Sequence, residues 1–272
     1  MFMTFLLLFI LTLFFMLVGR IVAGKKGMII AFVLACVMNM GAYWFSDSII
    51  LSTYGAEPAP AGHRLERISH ELARKAGMPL PTVYIIPTDS PNAFATGRNP
   101  EHAAVAATRG ILSLLNDDQL AAVMAHEMGH VKNYDMLVGS VAATISGAVL
   151  ILSRMALFFG GRDNASFGKR LAVSIVAPVA ATVITMAISR DREYKADEFS
   201  ARLTRRPMDL AGALRSLERG VQRIPMQDAS PQTAHMFIVH PFSASSIGEL
   251  FSTHPPVEKR IERLAQLARE IQ

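Results

Sequence analysis

Cysteine is nearly absent from this chain of 272 residues: Cys36 is the only one, and it lies in an apolar run. That excludes a disulfide framework and a cysteine-ligated metal site. Charge is also scarce. Asp, Glu, Lys and Arg make up 18% of the residues, hydrophobic types make up 51%, and mean hydropathy is positive. Soluble domains carry roughly 25% charged residues, so the balance points to a membrane protein. The formal charge of +5 raises the question of nucleic acid. No basic-aromatic cluster or nucleic-acid motif accompanies it, so nucleic acid is excluded as a partner. Basic residues flanking apolar segments at a lipid bilayer account for the same sign.

The missing charge is concentrated. Residues 1–19 and 27–46 contain no charged side chain, and Arg20, Lys25 and Lys26 sit between them. At about 1.5 Å per residue each segment reaches roughly 27–30 Å, enough for a hydrocarbon core. The first lacks a basic leading region and a small-residue cleavage site. Residues 1–46 are therefore expected to form an uncleaved transmembrane hairpin rather than a signal peptide. Tyr43 and Trp44 suit an interfacial aromatic belt. Residues 136–153 and 171–189 are uncharged as well, around a polar turn at 160–170. A second transmembrane hairpin is expected over 136–189, and neighbouring helices can accommodate Pro178 within it.

Two polar stretches remain, 47–135 and 190–272. The first opens with a linker from Ser46 to Gly62, then an amphipathic helix from His63 to Gly77. Thr82 to Ile86 reads as a strand. A turn at Pro91-Asn92 leads into a short strand ending at Gly97, and His102 to Ala107 reads as another. The bland reading is a small sheet beside a helix. The sharper one is an edge strand that aligns an extended substrate by strand addition. In the second stretch, helices are expected from Pro207 to Gly220 and after Pro255-Pro256. Between them Val221 to Phe251 is irregular and has the length of a mobile loop or lid. Its His235 and His240 have no helical partner that would make either a metal ligand.

The stretch from Asp117 to Asp135 carries the chemistry. It contains His126-Glu127-x-x-His130. Residues four apart share one helical face, so both imidazoles can reach one zinc ion with bonds of about 2.0–2.1 Å. Glu127 projects about 100° around the helix from His126. It can reach the attacking water as a general base without ligating the metal. Asn116 or Asp117 can cap the helix, and Asp117 and Asp118 suit its positive end. Gly129 permits close approach of a backbone or a substrate.

A catalytic zinc usually has three protein ligands. Glu193 and Asp197, four apart on the segment that follows the second apolar hairpin, are the candidates for completing the site. The hairpin returns Glu193 to the level of His130, which makes it the best-placed third ligand. Asp197, one turn on, can orient a ligand histidine. Against this stands a plain interfacial charge cluster at a membrane end.

Four motifs occur in order between the hydrophobic segments: PNAFATG, HEMGH, SRDREYKADEFSA and STHPPVEKRI. In this the chain resembles the HtpX-type membrane zinc metallopeptidases, distant relatives of the CaaX prenyl endopeptidases, over essentially its whole length. The resemblance implies a mostly α-helical membrane protein. Its parts are a gluzincin-like metallopeptidase domain with a small β-sheet and about four transmembrane helices. It also implies one zinc per chain on His126, His130 and Glu193, with Glu127 as catalytic base. Asn92 matches a residue that binds substrate backbone. His254 and Arg260 match groups near the transition-state oxyanion. The implied setting is the cytoplasmic membrane, with the active site facing the cytoplasm. The implied substrates are membrane proteins or unfolded polypeptides, cleaved for quality control.

Other readings compete. CaaX-type prenyl-protein endopeptidases resemble longer chains with more spans. A catalytically idle membrane scaffold has no need of Glu127. A site-two-type intramembrane protease would hold its zinc helix within an apolar span, whereas Lys132, Asn133 and Asp135 follow the motif here.

Overall fold

A computed structural model describes residues 2–141, 190–226, 233–239 and 255–271. Most of the expected second hairpin lies outside the described residues, as do His240 and His254.

Helix α1 (Phe2–Thr53) is two helical arms joined at Ala23 and Gly24, where Gly24 takes φ 61° and ψ −146°. Glycine adopts that left-handed φ without a Cβ clash, so the turn falls between the basic residues. Asn39 on the second arm donates from Nδ2 to the Leu8 carbonyl at 3.3 Å and to Thr12 Oγ1 at 2.9 Å on the first. In lipid an amide without such partners is costly. Phe5, Phe9 and Leu17 on one arm, and Ile29, Val33, Val37 and Met40 on the other, remain exposed. Ala23–Thr53 is long and apolar enough to cross a membrane.

The helix does not stop at Ser46, where a linker is expected. It continues to Thr53 because its last turns have something to bury against. Ile50, Leu51 and Tyr54 pack with Ile86, Phe94 and Phe237 in one apolar cluster. Sequence alone could not supply that distant partner.

The sheet has the order β1-β2-β4-β3, from β1 (Glu57–Pro58), β2 (Thr82–Ile86), β3 (Ala93–Gly97) and β4 (Ala103–Thr108). β2 and β4 are parallel; β3 runs antiparallel to β4 and forms the sheet edge. Every residue of β3 and β4 is buried. Two-sided burial explains why they read as runs of small apolar residues instead of an alternation. β1, two residues with a proline, escapes sequence patterning.

The remaining helices are α2 (Arg64–Lys75), α3 (Arg109–Leu114), α4 (Asp117–Lys132), α5 (Arg190–Thr204), α6 (Pro207–Arg223) and α7 (Val257–Glu270). Residues 135–141 are also helical. A capping box closes the start of α4: Asn116 accepts from the Gln119 N–H, and the Gln119 side chain accepts from Asn116 N–H. α4 is the spine of the domain, packed on α2, α5, α6 and β3. Leu120, Val123, Met124 and Met128 are buried at 0–1% exposure. Each such side chain stabilises the fold by about 1.5–3 kcal/mol relative to exposure. Burial surrounds the helix, and this carries His126 and Glu127 into the interior with it.

Candidate active site

α4 presents His126 and His130 one turn apart, and α5 brings Glu193 opposite them. Their distances describe a triangle. His126 Nε2 and His130 Nε2 are 3.1 Å apart, His130 Nε2 and Glu193 Oε1 are 3.4 Å apart, and His126 Nε2 and Glu193 Oε2 are 3.7 Å apart. A tetrahedral ion with bonds of about 2.0–2.1 Å has donor-to-donor edges of about 3.3–3.4 Å. These three residues thus fit a zinc-sized ion, and their donor set of two imidazoles and one carboxylate suits it chemically. Close approach of the helices makes the triangle. A Cβ on Gly129 would stand 2.9 Å from the Ala196 Cα of α5. The permission seen at Gly129 in the sequence is used by this helix contact.

The two imidazoles are oriented from behind. His126 Nδ1 is 2.9 Å from Asp197 Oδ1. Donation from Nδ1 to that carboxylate leaves the Nε2 lone pair for the metal. Burial, reinforced by the Arg260 charge, pulls the His126 pKa down to about 4, so the ring is neutral. His130 Nδ1 pairs with Asp135 Oδ2 at 3.3 Å, and Asp135 is held in turn by Arg192 Nε at 3.3 Å. Burial opposes charge on His130. Hydrogen bonds to Asp135 and Glu193 outweigh it and push the pKa up to about 10 in the metal-free chain. A cation in the triangle competes with that proton.

Glu127 points into the same space. It is 1% exposed, and its Oε1 has no hydrogen-bond partner among the described residues. Burial, with Glu193 nearby, raises its pKa to about 7 against the opposing pull of His130 and Arg260. A carboxylate poised near neutral pH is suited to take up and release a proton.

Arg260 comes from α7 and is 1% exposed. Its Nε and Nη2 grip the Asp197 carboxylate at 2.9 and 2.7 Å. Its Nη1 donates to the Ile238 carbonyl at 3.1 Å and lies 3.5 Å from Glu193 Oε2. Burial opposes its charge, but Asp197 more than compensates and raises the pKa further. Conversely, Arg260 holds the Asp197 carboxyl below its ordinary range despite burial. Asn92, just before β3, donates from Nδ2 to the Val239 carbonyl at 3.1 Å.

The described residues thus bring together His126, Glu127, His130, Glu193, Asp197 and Arg260. His235 lines the same cleft, with Nε2 donating to the Gly139 carbonyl at 3.2 Å. Asp135 is the site residue that sequence reasoning passed over as part of a polar boundary. A carboxylate shortly after the second ligand histidine was the available signal. The segment around Ile238 gave none, because its contacts are all long-range.

Comparison with known proteins agrees with this geometry. Residues 61–268 match the model of peptidase family M48. The protease HtpX homolog of Sulfurovum sp. is 50% identical over 272 residues, covering 98% of this chain and 99% of that one. The protease HtpX homolog of Pyrococcus furiosus is 50% identical over 266 residues, covering 93% and 91%. Among solved structures, Ste24p of S. mikatae aligns with a TM-score of 0.56 at 17% identity. The alignment covers 93% of this chain and 62% of Ste24p, so this chain spans about three fifths of that protein, and the likeness speaks of fold. With a family match over most of its length and near-full-length relatives at half identity, the chain belongs to peptidase family M48, as a metalloprotease of the HtpX type.

Proposed function

We propose that the chain is a zinc-dependent endopeptidase of the cytoplasmic membrane that cleaves misfolded or damaged membrane proteins. The observation that carries this reading is the triangle of His126, His130 and Glu193 donors with the buried Glu127 carboxylate beside it. Zinc held there would supply a Lewis acid that polarises the scissile carbonyl and acidifies the attacking water. Glu127 takes the proton from that water and passes it to the leaving amine. Asp197 and Asp135 fix the two imidazoles, and Arg260 fixes Asp197. Asn92 is assigned to the substrate backbone. His254 and Arg260 are assigned to the developing oxyanion; for Arg260 the available nitrogen is Nη1, which now donates to Ile238.

Four spans are proposed, with residues 1–46 and 136–189 as two hairpins. The two parts of the peptidase domain, 47–135 and 190–272, meet on the cytoplasmic side, and both short turns face outward. Purified full-length protein in detergent, assayed for zinc content and casein cleavage beside Glu127→Gln, tests the chemistry. One zinc per chain in both, with cleavage only in the wild type, is expected. Equal cleavage by the two would overturn the reading.

A further inference from the structure

Among the described residues β3 is an edge strand, and the side away from β4 faces the cleft, where the Ala95 backbone N–H donates to the Glu127 carboxylate. The Thr108 N–H donates to the Asn92 carbonyl across the β3–β4 pair. By antiparallel alternation, Ala93, Ala95 and Gly97 turn their backbone polar groups away from β4. Ala95 lines the cleft with His126, Glu127 and Glu193. An extended polypeptide added to this edge would run past the ligands.

The chain itself already occupies part of that edge. The Ile238 N–H donates to the Ala93 carbonyl at 3.1 Å. The Ile238 carbonyl accepts from Arg260 Nη1 at 3.1 Å, and the Val239 carbonyl accepts from Asn92 Nδ2 at 3.1 Å. Backbone groups of one dipeptide therefore sit on the edge strand and on Asn92 and Arg260, two of the three side chains assigned above to the substrate and its oxyanion. Phe237, Ile238 and Val239 are buried at 0, 2 and 5% exposure. Phe237 stacks edge-on against Phe94 at 5.5 Å and Tyr54 at 5.3 Å. The Tyr54 hydroxyl also bonds to the Thr233 hydroxyl. The space left beside the ligands is ≈ 50 Å³. At about 10–15 Å³ per water on this measure, that holds a few waters rather than a peptide.

We propose that Thr233–Val239 is a resident strap that imitates a bound substrate and must leave β3 before a polypeptide can be cut. The inference rests on the peptidase reading and adds its regulation. Of the strap, Met236, Phe237 and Ile238 line the cleft beside His235, so the segments that compete with it best are extended and apolar. It is clasped by Tyr54, at the end of the apolar helix that can span the membrane. The seating of that helix on the domain therefore biases the strap.

Hydrogen exchange on full-length Glu127→Gln protein provides the test. The probe is an apolar ten-residue peptide with terminal lysines that the wild type cleaves. Saturating peptide should speed exchange at Ile238. Continued protection of Ile238 with peptide bound would overturn the strap and make it a fixed wall of the cleft. A second arm needs no bound state. Ile238→Ala and Ile238→Pro loosen the strap, the latter by removing the N–H donated to Ala93. Each should raise kcat/KM about five- to tenfold, mainly through KM, as expected when one net backbone interaction holds the closed form. Unchanged or lower kcat/KM in Ile238→Ala would count against the strap. Failure of the wild type to cleave any such peptide would overturn the peptidase reading beneath it.

Discussion

Three carboxylates, Glu127, Glu193 and Asp197, are buried around one guanidinium, that of Arg260. Burying charge is costly unless it is compensated, and a divalent cation between the imidazoles supplies what Arg260 alone does not. The energetics assign different outcomes to neighbouring residues. Glu127→Gln keeps the size and all three ligands. It should retain zinc while hydrolysis falls by about 10²–10⁴, the range for a lost general base; zinc analysis beside a peptide assay checks both. Asp197→Ala frees the His126 ring and strands Arg260. Zinc affinity should drop about 10–100-fold, and the fold should lose about 3–5 kcal/mol. Asp135 sits nearer solvent, at 13% side-chain exposure. Asp135→Ala should therefore weaken zinc comparably while the thermal midpoint of the metal-free protein hardly moves. Titration with a chelator of known affinity checks the loss of zinc in both, and thermal unfolding of the metal-free proteins separates the two variants.

At the scale of elements, α4 and α5 meet closely where Gly129 faces Ala196, and this contact helps to set the triangle of His126, His130 and Glu193. Gly129→Ala would drive a Cβ against the Ala196 backbone. The added methyl should destabilise by about 1–3 kcal/mol, spread His130 from Glu193, and hasten zinc loss to a chelator. A thermal midpoint equal to wild type would show that the helices yield freely. Local signals announced most of these elements. The capping residue Asn116, the proline opening α6 and the glycine ending β3 all mark real boundaries. The sequence overlooked elements that depend on remote partners. The last turns of α1 exist because Phe94 and Phe237 cover them, and β1 exists because β2 offers it an edge.

For the whole molecule, topology is where sequence rules conflict. Arg20, Lys25 and Lys26, then Arg162, Lys169 and Arg170, lie in the two turns proposed to face outward, and Lys132, Arg190, Arg192, Lys195 and Arg202 lie on the enzyme side. Positive charge is nearly balanced, and long domains weigh little in that rule. The proposed orientation therefore needs a direct measurement. In a Cys36→Ala background, Ala23→Cys in the turn should react with an impermeant thiol reagent in intact cells. Ser113→Cys, on the exposed side of α3, should react only after lysis. The opposite pattern would reverse the orientation and leave the site chemistry untouched.

The chain by itself pointed to the proposed metal chemistry, because helical periodicity is local. His126, Glu127 and His130 fall on adjoining positions of one helix, and that spacing offers two candidate ligands and a candidate base wherever the helix is placed. The apolar arms were equally plain, since hydrocarbon thickness sets a length that can be counted. Glu193 could be proposed as third ligand because the apolar hairpin leads back to it. What only the tertiary structure decided were contacts between segments with no shared periodicity. Examples are the guanidinium of Arg260 on Asp197, the Asn92 amide on the Val239 carbonyl, and the Ile238 backbone on the edge of β3. Each joins groups whose separation along the chain carries no geometric information, so packing around α4 had to choose them.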